Sequence, residues 1–393
     1  MVPRDERLPP RLTSVTRGRP RSALKSVPAL PIEVERATTD RCPRPTGGTL
    51  VARRTSIGLD IGCSAVRAAE LSFTATGVVL ERSAEAPLPE GAVVDGEVVD
   101  VAAVSAALVQ LWRTGRFSSR RVTLGIANQR VVVREVEVPK MPAADLRKAL
   151  PFQVQDVLPM PVESAVMDFH PLEVRTTGSG QVVRGLLVAA WRDAVASLVA
   201  AAEGARLVPE AVDLTAFAVL RALGTDVHGE TTTEALVDIG ATITQVVVHS
   251  GGAPRFVRIL MAGGNDITDA LVERTGVTVL EAEHLKRGLG IGDGLSGELT
   301  VVGHAVEAAA LGFLEEVRST IDYAAATSGH RAERVVLTGG GARLDGLAPR
   351  LAAMTGLPVD IGSVSHRLRP GRNLRPTDDA ATMAIGLALG VSA

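Results

Sequence analysis

Leu59-Asp60-Ile61-Gly62-Cys63-Ser64-Ala65 and Val237-Asp238-Ile239-Gly240-Ala241-Thr242-Ile243-Thr244 are two copies of one phrase, and their reading decides the fold. In each, a β-branched run leads into Asp-Ile-Gly, small residues follow, and an apolar stretch resumes at Val66 and at Val246. That order predicts a tight hairpin between two strands. Glycine lets the backbone approach an anion, and small neighbours leave the amides and the hydroxyls of Ser64, Thr242 and Thr244 facing phosphate oxygens. Asp60 and Asp238 are placed to orient a hydrated Mg2+. One Asp-Ile-Gly is an ordinary strand-to-turn signal. Two, a domain length apart, predict a duplicated α/β lobe with a triphosphate held between the halves.

Val335-Val336-Leu337-Thr338-Gly339-Gly340-Gly341-Ala342 reads as a buried strand breaking into three glycines, followed by a helix near Leu347 to Met354. Three consecutive glycines are costly to order, so the run predicts a large group, such as a nucleoside, lying flat on the backbone. Between these elements, Glu281 to Gly288 is predicted as a helix with Glu283 and Lys286 on one face. They are either an exposed ion pair worth about 0.2–0.5 kcal/mol or groups at a nucleoside. Four of the 42 basic residues are lysine, so Lys286 stands where arginine is the default. Gly263 and Gly264 either bring the backbone near the nucleotide or form a simple loop hinge. Asp213, ahead of a small-residue helix, either positions an attacking water or caps that helix.

Together these elements resemble the actin-like ATPase superfamily, which also contains heat-shock chaperones and the division protein FtsA. The resemblance implies an α/β, ribonuclease H-like fold: two pseudo-symmetric lobes, with a small α+β subdomain inserted in the first. It places phosphate loops at residues 59–65 and 237–244, an adenosine loop at 338–342, and Glu283 and Lys286 beside the ribose and base. Leu214 to Leu220 and Ala380 to Leu389 stand where that fold has two connecting helices.

The wording Pro139-Lys140-Met141-Pro142, then Leu158-Pro159-Met160-Pro161-Val162-Glu163, is close to the PilM family of type IV pilus platform proteins over about residues 56–391. That resemblance implies ATP and Mg2+ as ligands, and docking of the cytoplasmic N-terminal peptide of a PilN-like bitopic membrane protein. Val132, Pro139, Leu146, Phe152 and Val157 mark the expected docking region. Cys63, Ala65 and Ala241 give up polar side chains at loop positions, so weak hydrolysis or none is expected. A self-associating FtsA-like filament is one alternative, and a small-molecule kinase of the same fold is another.

The expected layout is an Arg/Pro-rich extension over residues 1–54, lobe I at 55–118 and 186–230, and the inserted subdomain at 119–185. Lobe II follows at 231–264 and 331–393, with a helical excursion at 265–330. The first 50 residues carry eight of the 22 prolines, nine arginines and no sustained periodicity, too little apolar surface to fold alone. Arginine-rich usage suggests a GC-rich genome with valine start codons, so translation is expected to begin near Val51. Net charge of −2 argues against bulk nucleic-acid affinity. No stretch approaches the ~20 apolar residues of a transmembrane helix, so the expected location is the inner face of the membrane, reached through the partner. Two cysteines, Cys42 and Cys63, argue for a reducing cytosol and against a disulfide framework.

Overall fold

Each copy of the repeated phrase closes an antiparallel hairpin. In the computed structural model, which describes residues 54–178, 180–224, 232–291, 299–364, 367–371 and 381–390, β1 (Arg54–Ile61) pairs with β2 (Ala65–Thr74). The chain continues through β3 (Gly77–Pro87), a small ribbon of β4 (Val93–Val94) and β5 (Glu97–Val98), and α1 (Val101–Gly115) to β6 (Arg121–Ile126). An inserted unit follows: β7 (Val131–Pro139), α2 (Ala143–Val154), β8 (Ala165–Thr177) and β9 (Gly180–Trp191). Then come α3 (Arg192–Gly204), β10 (Val208–Leu214) and the first connecting helix, α4 (Thr215–Leu223). The second lobe holds β11 (Thr233–Ile239), β12 (Thr244–Ser250), β13 (Ala253–Leu260), α5 (Gly264–Thr275), α6 (Val279–Leu289), α7 (Leu299–Ser328), β14 (Arg334–Thr338), α8 (Leu347–Thr355) and β15 (Val359–Ile361). The chain then returns through β16 (Leu368–Pro370) to α9 (Thr382–Leu389).

The two main sheets have the same topology. Lobe I runs β10-β6-β1-β2-β3 and lobe II runs β13-β12-β11-β14-β15, so each has a three-strand meander extended by two parallel strands beside its first strand. β16 adds to β3 at the edge of lobe I, which ties the end of the chain back to the first lobe.

Strand alternation sorts the cores. Ala235, Val237, Val246, Val335 and Leu337 face the lobe II helices, whereas Leu236, Val247 and Val336 face α4 and join the core of lobe I. The hydrophobic seam therefore runs through both lobes at the connecting helices. A smaller core of Val138, Leu150, Val154, Phe169 and Leu187 holds α2 on the antiparallel sheet β7-β9-β8.

The insertion differs from its expected limits. β6 lies between β1 and β10 in the lobe I sheet, so the insertion starts after Ile126, not at residue 119. Its last strand extends to Trp191, beyond residue 185. β9 serves two cores, with Leu187 facing α2 and Leu186, Val188 and Ala190 facing lobe I. A strand buried on both sides carries no local mark of the boundary. The extension expected over residues 1–54 lies outside the described residues, Arg54 excepted.

α9 is wedged between β1 and α4. A methyl group on Gly58 would collide with Ala384 O, and one on Gly386 would collide with Ala218 O. Gly386→Ala is therefore expected to lower the melting temperature, with a destabilisation of about 1–3 kcal/mol from overpacking, whereas Gly356→Ala, strained only by its φ of 68° at an open surface site, should cost less. Thermal unfolding of the two variants checks this.

Candidate functional site

The two hairpins bring their loops together at the junction of the lobes. In each, the glycine N–H closes the turn: Gly62 donates to Ala65 O at 3.1 Å, and Gly240 to Ile243 O at 2.9 Å. Among the described residues, the N–H groups of Cys63, Ser64, Ala241 and Thr242 stay outside these turn bonds. Cys63 Sγ lies 2.9 Å from Thr242 Oγ1, so the loop tips touch across the lobe boundary. Ile243 packs against the turn of the β4–β5 ribbon, where a methyl on Gly96 would come within 2.6 Å of Ile243 Cδ1.

The hairpin register sets one residue opposite each aspartate: Arg67 across from Asp60, and Gln245 across from Asp238. Arg67 Nε donates to Glu85 at 2.7 Å, while its charge favours ionisation of both aspartates. Gln245 Nε2 donates to Asp238 Oδ2 at 3.3 Å. Sequence reading passed over both residues. The signal was the strand pairing itself, which sets Arg67 and Gln245 directly across from their aspartates.

Each aspartate keeps some exposed surface but is otherwise enclosed by protein. Burial pushes Asp60 up to about 6, against the pull of Arg67 and with a small push from Glu85. Burial, then repulsion from Asp60, pushes Asp238 up to about 7, partly offset by Gln245 and Arg67. The charge of Asp60 in lobe I thus reaches Asp238 in lobe II. Among the described residues no group of three or more His, Cys, Asp or Glu forms a protein cage for a metal ion. Two crowded carboxylates beside free amides suit a hydrated Mg2+ carried by a polyphosphate, because Mg2+ keeps several waters and takes one or two protein carboxylates.

The glycine run packs differently from its reading as a bed for a ligand. Gly339 has φ +86° and presses on Ile239 O and Asp238 Oδ1, and Gly341 presses on the Ile239 side chain. What lies flat on these two glycines is therefore the Asp238–Ile239 strand of the protein itself. Gly340 is exposed, and a methyl group there would meet nothing within 4 Å. Gly263 and Gly264 are likewise taken up by the protein. Gly263 packs on the carbonyls of Gly240 and Ala241, and Gly264 N–H donates to Gly240 O at 3.0 Å.

Lys286 is buried, not an exposed partner of Glu283. Its Nζ donates to Gly264 O at 2.9 Å and Thr268 Oγ1 at 2.7 Å, and pairs with Glu283 Oε2 at 2.5 Å. All three ammonium hydrogens bind protein, so the lysine pins α6 to the first turn of α5. Desolvation acts to raise Glu283, but hydrogen bonds from Lys286 and Thr268 outweigh it and hold the carboxyl down at about 2.

Other expected positions divide. Thr244 Oγ1 is buried and donates to Ala262 O at 2.7 Å, so its hydroxyl does not face the loop. Ala65 is buried beneath the first turn, and Ser64 is exposed. Asp213 is fully buried and paired with Arg221, whose Nε donates to Gly386 O at 2.9 Å; this fastens α4 to α9. The docking set lies on the insertion: Phe152 is 76% exposed and Val157 41%, Pro139 is exposed, Val132 is half-buried, and Leu146 packs against the subdomain core.

A carboxylate with a raised native value favours folding below its unfolded value near 3.9 and loses that advantage as pH rises through the native value. For this pair the loss falls between about pH 4 and 7. In nucleotide-free, Mg2+-free buffer, Asp238→Asn should match the wild type near pH 4 and melt at a higher temperature near pH 8. Melting curves across that range check the sign.

A family model described as type IV pilus assembly protein PilM matches residues 58–391. The solved PilM–PilN type IV pilus biogenesis complex is 27% identical, with a TM-score of 0.76 over 87% of this chain and 100% of that chain. Ethanolamine utilization protein EutJ from Carboxydothermus hydrogenoformans matches at 15% identity and a TM-score of 0.51, over 86% of this chain and 90% of its own, a likeness of fold alone. With its duplicated lobes and the family match spanning nearly all of them, the chain belongs to the PilM family of type IV pilus assembly proteins and has an actin-like fold.

Proposed function

We propose that the chain binds ATP with Mg2+ between its lobes, and that the occupied cleft sets the lobe geometry in which the inserted subdomain docks the cytoplasmic N-terminal peptide of a PilN-like bitopic membrane protein. The observation that carries this reading is the Asp60–Asp238 pair, two partly buried carboxylates from different lobes whose charge a shared cation would relieve. The likeness to a PilM–PilN complex over the whole of that chain supports the partner.

In this reading the amides of Cys63, Ser64, Ala241 and Thr242 cradle phosphate oxygens, and Arg67 adds the positive charge that a polyphosphate requires. Bound Mg2+ supplies neutralisation of phosphate charge, and Asp60 and Asp238 hold its water shell. Gly340 leaves space for the nucleoside, with Glu283 and the Lys286 anchor at its flank. Asp213 holds the Arg221 guanidinium, and this engagement favours a binding role for the cleft with slow hydrolysis or none.

The insertion offers a docking surface of suitable kind. β7 and β8 are the two edges of its sheet, so an extended peptide has a free strand edge to join. Phe152 and Val157 supply exposed apolar contacts beside it. No helix among the described residues is long and apolar enough to cross a membrane. Association with the inner face of the cytoplasmic membrane then runs through the partner.

Calorimetric titration tests both halves. The full chain should bind Mg-ATP, and Asp238→Ala or Lys286→Ala should each weaken that binding by tenfold or more, on the order of 1.4 kcal/mol, while remaining folded. Unchanged affinity in both variants would remove the site. A synthetic PilN-like N-terminal peptide should bind more tightly with Mg-ATP present, and Phe152→Ala should weaken it; no peptide binding in either state would overturn the docking half.

A further inference from the structure

One polar chain crosses the lobe boundary beneath the two loops. Thr215 opens α4 at the end of the lobe I sheet, and its Oγ1 lies 3.2 Å from Ile126 O and 2.7 Å from Gln245 Oε1. Gln245 belongs to lobe II and donates through Nε2 to Asp238 Oδ2. Thr215 and Gln245 are each only 4% exposed, so neither has solvent to replace a lost partner.

The chemistry of these groups fixes the direction of the chain. An ionised Asp238 only accepts, so the amide nitrogen of Gln245 must face it and the amide oxygen must face Thr215. The Thr215 hydroxyl has one proton and two acceptors within reach, Ile126 O in its own lobe and Gln245 Oε1 in the other. Were the lobes to part at this contact, the bond to Gln245 would be the one lost, since the proton has Ile126 O to fall back on. Lobe I thus stays satisfied in both states, and the loss falls on Gln245 and on the aim of Asp238. α4 delivers this contact from a rigid base, because Arg221 ties the same helix to α9.

We propose that Gln245 is a positioning residue that couples occupation of the Asp238 site to closure of the lobes, with the Thr215 proton as the two-state element. The proposal rests on the nucleotide reading of the site. With the lobes closed, Thr215 orients the Gln245 amide and the amide orients the Asp238 carboxylate. With the lobes open, that restraint is gone. Ligand binding that needs an oriented Asp238 then favours closure, and closure raises affinity by the same factor, as linkage requires. The matching position in lobe I carries Arg67, a charge directed at the site itself. The duplicated hairpins thus split two tasks, charge on one side and cross-lobe coupling on the other.

The test uses the full chain with two readouts, ATP affinity with and without Mg2+ and hydrogen exchange of the α4 amides on adding Mg-ATP. Thr215→Val should raise the Kd for Mg-ATP about three- to tenfold, the size of one net hydrogen bond, with a smaller effect on ATP without Mg2+. It should also lose the Mg-ATP-induced protection of α4. Thr215→Ser, which restores the hydroxyl, should recover both. Gln245→Glu keeps the shape but cannot donate to ionised Asp238, and it should weaken Mg-ATP binding at least as much. Equal losses with and without Mg2+, or no rescue by serine, would assign Thr215 to packing and overturn the relay. If wild type binds Mg-ATP and the variants match it in both readouts, the relay alone falls. A wild type that binds no nucleotide removes the reading of the site, and the relay with it.

Discussion

The seating of α9 against β1 and α4 is the constraint on which the rest depends. Ala384 O sits where a side chain of residue 58 would be, and Ala218 O where a side chain of residue 386 would be. Only glycine permits these approaches, and they bring the two halves close enough for one apolar seam to run through both. The buried Asp213–Arg221 pair, with the Arg221 bond to Gly386 O, adds a polar clasp to the same crossing. If the helices stood further apart, the two hairpins would not meet at Cys63 and Thr242 and the charge of Asp60 would not reach Asp238.

Once the lobes are held this way, the chemistry of the junction follows from crowding. Among the described residues no third His, Cys, Asp or Glu joins the two carboxylates in a metal-holding group, and burial pushes both toward neutrality. Much of the surrounding structure is spent on fixing the loops. Gly263 and Gly264 brace the second loop from α5, Gly339 and Gly341 brace its strand from β14, and Lys286 secures α5 to α6. The proposed site is consequently small: four loop amides, two carboxylates, Arg67 and Gly340, with the buried Gln245 beneath them.

The repeated phrase made the duplication legible, because a strand ending in Asp-Ile-Gly before small residues has few other uses at both positions. Individual roles were less legible. Thr244 reads as a phosphate-facing hydroxyl, yet it is the first residue of β12 and points into the space beneath Ala262. Lys286 and Glu283 show only their helical spacing in sequence. Burial of the lysine against Gly264 O comes from the packing of α6 on α5.

By itself the sequence determined the two hairpins and the glycine-rich third loop, since each rests on local periodicity and turn chemistry, while the connecting helices and the insertion were implied by the family resemblance those motifs carry. Tertiary structure decided where the insertion begins, because β6 and β9 are set by the sheets they join and β9 serves two cores. It also decided that Arg67 and Gln245 belong to the site. Their positions opposite the aspartates come from strand register, and the reach of Gln245 to Thr215 comes from the contact of two lobes, which no single stretch of chain encodes.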